Sequence, residues 1–192
     1  MPFLPSLPET SHLTDLLKQF PRGVAPLMKF VDSVLRDDAE LSKAERELIA
    51  TYVSSLNACD FCYGAHKIYA EAFGIDEKMI DALLQDINSV EGLDKLKPIL
   101  RYVRKLNFLP SKITQADAQA VYDAGWTEEA LYEATQVCAL FNMMNRLIEG
   151  AGVNFDYAAH PEAHSLARRT GADVETHTYG DYGRRVVEKA DE

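Results

Sequence analysis

The sequence predicts an all-α protein built as one domain, and three observations carry that prediction. Apolar residues keep returning at spacings of three and four along the chain, the mark of amphipathic helices. Alternation of period two, which half-buried strands require, is nearly absent. Gly and Pro fall mostly between the periodic stretches, where helices start and stop. The chain has 192 residues, 47% of them hydrophobic and 26% charged. That is room for a single sizeable core, and it excludes a disordered or fibrous chain.

Taken in order, residues 1–24 read as an irregular arm, with Pro2, Pro5, Pro8 and Pro21 around one short helix at Leu13, Leu16, Leu17 and Phe20. Pro26 suits the first turn of a second helix carrying Leu27, Phe30, Val31, Val34 and Leu35 on one face. Ser42 followed by Glu45 forms a capping box that opens a third helix over 43–57, with the stripe Leu48, Ile49, Tyr52, Val53 and Leu56. A fourth helix runs from about Cys59 to Phe73, where Gly74 can end it. Asp76 starts a fifth through Ile80, Leu83 and Leu84. Further helices are expected over 91–106, broken or restarted at Pro98, and over 114–124. Thr127, with Glu128 and Glu129 behind it, opens a long apolar helix that ends near Gly150 and Gly152. The helical domain is therefore placed at 25–153, and 154–192 is left as a polar tail.

Charge excludes several partners. Twenty Lys and Arg against 30 Asp and Glu give −10, and no basic stripe offsets this locally, so neither nucleic acid nor anionic membrane is expected. No run approaches the roughly 18 apolar residues of a membrane span. The start, Met1 to Pro8, lacks the basic opening and apolar run of a signal peptide. A cytoplasmic protein is expected. Three cysteines are too few for a disulfide scaffold.

Chemistry concentrates between Glu45 and His66. Cys59-Asp60-Phe61-Cys62 is a C-x-x-C, and His66 follows four residues later, one helical turn along the same face. Cys62 falls in the first turn, where unpaired N–H groups and the helix dipole favour a thiolate. An imidazole one turn away can take the thiol proton. Cys59 can reach Cys62 to close a disulfide. An activated sulfur, a base and a resolving sulfur are the parts of a dithiol redox catalyst. A zinc site is the alternative, since two thiolates and an imidazole supply three of four tetrahedral ligands. The remaining ligands for it, Cys138, His160 and His164, lack the usual spacing. Upstream, Glu45 lies on the stripe with Ile49 and Tyr52, as a cap or a buried acid. Glu47 lies with Ala50, Thr51 and Ser54, on the line that leads to the cysteines. Both could equally be solvated helix acids.

Glu47, eleven residues, then Cys59-x-x-Cys62-x-x-x-His66 resembles the signature of the AhpD-like alkylhydroperoxidases in the carboxymuconolactone decarboxylase superfamily. The flanks Ala44 to Ala50 and Val53 to Ala58 are similar too, and Ala139 to Leu147 resembles the second stretch of the peroxidase-related branch. The resemblance spans about residues 25–153. It implies an AhpD-like helical bundle and an antioxidant thiol peroxidase that assembles as a homo-oligomer. The cysteine matching Cys62 attacks the hydroperoxide, the one matching Cys59 resolves it, and those matching Glu47 and His66 relay protons. An external dithiol, of lipoyl or thioredoxin type, restores the pair, and no cofactor or metal is needed. Phe61 stands where the best-known members have a second histidine. Rival readings are a decarboxylase or lyase of the same superfamily, and a non-catalytic zinc-binding or redox-sensing module.

Other residues carry less. Cys138 reads as an inert core thiol and Trp126 as a helix-start anchor. Asn142, Asn145 and Arg146 line the site or close a contact between helices or subunits. His12, His177 and Tyr179-Gly180-Asp181-Tyr182 suggest nothing specific.

Overall fold

Capping chemistry sets most of the helix boundaries. The computed structural model describes residues 1–160 and 178–188. Among them every regular element is helical: α1 (Leu13–Gln19), α2 (Val24–Leu35), α3 (Lys43–Leu56), α4 (Asp60–Ala72), α5 (Glu77–Gln85), α6 (Lys97–Phe108), α7 (Gln115–Asp123), α8 (Glu128–Ala151) and α9 (Tyr179–Glu188). Ser42 and Glu45 form the reciprocal capping box of α3. Asp76, Thr114 and Thr127 cap α5, α7 and α8 as their residue types prefer. Gly152, at φ +69°, ends α8 in the left-handed conformation.

Two elements depart from expectation. α6 begins at Lys97 rather than near 91, because Pro98 belongs to its first turn and cannot lie deeper in a helix. The buried face of α2 is Val24, Met28, Val31, Val34 and Leu35, while Phe30 is 44% exposed. Met28 lies beneath α9, whose Gly183 approaches so closely that a β-carbon there would stand 2.7 Å from the Met28 side chain. That packing selects the face of α2, and α9 lies in the stretch read from sequence as a tail.

The α3–α4 hairpin is the centre of the molecule, with α8 packed across it and α6 beside both. Its turn is tight. Cys59 N–H donates to Ser54 C=O and Ala58 N–H to Ser55 C=O, with Ala58 left-handed at φ +53°. This is a Schellman arrangement with alanine where glycine is usual. A chain of amides fixes the hairpin to its neighbours. Asn142 Nδ2 donates to Asn107, Asn107 to Asn57, Asn57 to Asn145, and Asn145 to Ser54 Oγ, at 2.6–3.2 Å. The predicted contact role of Asn142 and Asn145 is thus an inter-helix one. Cys138 is buried in the main core, and Trp126 Nε1 donates to Lys95 C=O at 2.7 Å ahead of α8.

Candidate active site

The hairpin brings Glu47 and His66, nineteen residues apart in sequence, to 2.6 Å between Oε2 and Nδ1. Glu47 is entirely buried, so it is no solvated helix acid. Its other oxygen lies 2.5 Å from Arg36 Nη1. Burial alone would push this carboxyl up, but Arg36, and after it His66, hold it below the ordinary carboxylate range. Glu47 is therefore ionised near neutrality and can only accept hydrogen bonds. The proton between it and His66 belongs on Nδ1, which leaves Nε2 as the basic nitrogen of the neutral ring. Phe141 fixes that ring edge-to-face at 4.4 Å. Glu45, by contrast, donates nothing to the site; its carboxylate caps α3.

Arg36 was not legible in the sequence. It follows the last residue of α2, a place where a basic side chain ordinarily reaches solvent. Here its guanidinium lies over the rings of Tyr69, Phe73 and Tyr179, 5.0–5.3 Å from their centres. Desolvation opposes the charge, and Glu47, with Tyr179 and Tyr69, together more than offset that cost.

Cys59 is the N-cap of α4 and Cys62 lies in its first turn, as predicted. Both are buried thiols. The Cys59 proton is held strongly, first because its thiol hydrogen-bonds the Cys62 sulfur and second because of burial. Cys62 and His66, four residues apart on α4, line one cavity of about 170 Å³ together with Phe61, Ala65, Tyr69 and Phe141. The cavity is mainly apolar. Among the described residues, no three His, Cys, Asp or Glu side chains are grouped to hold a metal ion. His164, named as a possible ligand, lies outside the described residues.

The four residues singled out for the site fall inside residues 21–105, the segment that matches the carboxymuconolactone decarboxylase family. The similarity to that family is confined to this segment, which is less than half of the chain. Two solved structures share its fold. One is described as the alkylhydroperoxidase AhpD core, an uncharacterized peroxidase-related protein from Ralstonia eutropha JMP134. It is 21% identical with a TM-score of 0.69, over 73% of this chain and 74% of that one. The other, an uncharacterized peroxidase-related protein from Silicibacter sp. TM1040, is 21% identical with a TM-score of 0.68, over 74% of each chain. No curated protein matches the sequence.

The matched segment does not complete the cavity. Leu140, Phe141 and Met144 of α8 line it as well, and a further wall comes from both ends of the chain: His12 and Leu13 from the arm, Tyr157 after α8, and Tyr179 and Tyr182 from α9. Asp32 of α2 holds the start of α9, accepting from the Tyr179 and Gly180 N–H groups at 2.5 Å. Among the described residues, no helix is long and apolar enough to cross a membrane.

Proposed function

We propose that this protein is a thiol-dependent peroxidase that reduces hydroperoxides through Cys59 and Cys62. The observation that carries the reading is the buried Glu47–His66 pair, whose basic nitrogen belongs to a ring sharing one cavity with Cys62. His66 takes the Cys62 proton, and the thiolate attacks the peroxide to become a sulfenic acid. Cys59 then attacks that sulfur and releases water, leaving a disulfide. An external dithiol, lipoyl or thioredoxin type, reduces it. The cycle calls for a reducing compartment, which supports a cytoplasmic location. Exposed Phe108, Leu109, Met143 and Leu147 favour a homo-oligomer, since burial of such side chains between copies gains apolar contact.

The test is peroxide consumption with a thiol count. The wild-type protein should lose two thiols per turnover and regain them with dithiothreitol. Cys62→Ser should consume no peroxide. Cys59→Ser should form one trappable sulfenic acid and stop. His66→Ala should slow the first oxidation by roughly 10²–10⁴-fold, the value of a lost acid–base group. Oxidation of Cys59 in the Cys62→Ser protein at the wild-type rate would overturn the assignment.

A further inference from the structure

Breaking an O–O bond sets two proton tasks, and the Glu47–His66 pair accounts for one. His66 removes the thiol proton; the departing alkoxide needs a proton from elsewhere. The wall of the cavity made by the chain ends carries a candidate. His12 Nδ1 accepts the Thr14 backbone N–H at 3.1 Å, as the cap of α1. The neutral ring therefore bears its proton on Nε2, and that nitrogen stands 3.0 Å from the Tyr157 hydroxyl oxygen. Both side chains line the same cavity as Cys62 and His66. Phe61 holds them in place, its ring 5.0 Å from each of the two.

A second observation is independent of these hydrogen bonds. Gly64, between Cys62 and His66 on α4, is where the Tyr157 side chain rests. A β-carbon there would stand 2.7 Å from Tyr157 Cβ and 3.1 Å from its ring. Glycine inside a helix costs about 1 kcal/mol relative to alanine. At this position it lets Tyr157 lie directly on the helix that carries the cysteine and the base.

We propose that Tyr157 is the acid that protonates the departing oxygen, and that His12 is the residue that positions it. This rests on the peroxidase reading above. The Cys62 thiolate bonds to the terminal oxygen of R–O–O–H as the O–O bond breaks. Sulfur is oxidised to the sulfenic acid, which keeps that oxygen and its hydrogen, and the peroxide is reduced to RO⁻. Tyr157 gives its proton to RO⁻, which leaves as ROH. The phenolate accepts the His12 Nε2–H and is reprotonated through solvent, as His66 returns the proton it took from the thiol. A tyrosine near pKa 10 is acidic enough for the task, since the conjugate acid of the leaving group, water in the case of hydrogen peroxide, lies near 15.7.

Two oxidants separate this role from a structural one. tert-Butyl hydroperoxide expels a basic alkoxide, whereas peracetic acid expels acetate, which needs no proton. Tyr157→Phe keeps the ring and its packing. It should oxidise Cys62 roughly 10²-fold more slowly with tert-butyl hydroperoxide and at the wild-type rate with peracetic acid. His12→Ala should show the same selective loss to a smaller degree, and His12→Gln, which restores an N–H donor, should recover it. Equal loss with both oxidants, or none with either, would overturn the proposal while leaving the peroxidase reading intact. A wild-type protein inert to both oxidants would overturn the reading and the proposal together.

Discussion

The two walls of the cavity are held by different physics. On the hairpin wall, Glu47 and Arg36 are a charged pair, 0% and 7% exposed, with His66 as the third member. On the wall built from the chain ends, neutral groups meet: Tyr182 Oη and Thr14 Oγ1 at 2.6 Å, and His12 with Tyr157 at 3.0 Å. A buried charge needs its partner, because removing one member strands the other without water. A neutral hydrogen bond exchanged for water is worth far less. The hairpin wall is therefore rigid and intolerant of change, while the other can be altered without loss of the fold.

Glu47→Gln is the sharpest way to break that contrast. It leaves the Arg36 guanidinium buried against a neutral amide and should cost about 3–5 kcal/mol in denaturant unfolding. The pH dependence carries a sign. A carboxyl held below its ordinary value of 4.5 contributes stability that is complete above that pH and is lost as pH falls through the folded value. The acid limb of the stability curve should therefore flatten in Glu47→Gln. A loss no larger than that of an exposed glutamate, with an unchanged acid limb, would show that the pair is not buried as described. On the other wall, Tyr182→Phe removes one neutral hydrogen bond and should cost about 1 kcal/mol by the same measurement. A loss matching that of Glu47→Gln would erase the difference between the walls. The smallest effect belongs to the hairpin turn. Ala58→Gly relieves a left-handed alanine, a cost of roughly 1–2 kcal/mol, against the greater chain entropy of glycine when unfolded. Thermal unfolding should show a net gain of about 0.5–1 kcal/mol; a destabilised variant would refute the strain.

Glu45 and Glu47 show where sequence reasoning reaches its limit. Two residues apart in one helix, both read as possible solvated acids, and Glu45 also as a cap or a buried acid. The capping box claims Glu45 through a local rule, so its fate was legible. Glu47 is buried only because α4 folds back over α3 and presents His66, and because the end of α2 brings Arg36 to its other oxygen. The same holds for Phe30 and Met28, whose exposure is decided by α9, an element from the far end of the chain.

By itself the sequence determined the helical class, most helix starts and stops, and the spacing of Cys59, Cys62 and His66 on one helix face, because each depends on residues within a turn or two of one another. Glu47 became a candidate through the resemblance of its spacing from them to the AhpD-like signature. Tertiary structure alone decided that Arg36 completes the buried charge, and that His12, Tyr157, Tyr179 and Tyr182 close the cavity. These residues lie up to 168 positions from their hydrogen-bond partners. No periodicity links groups so distant, and only the packing of α9 against α2 and the arm's α1 brings them together.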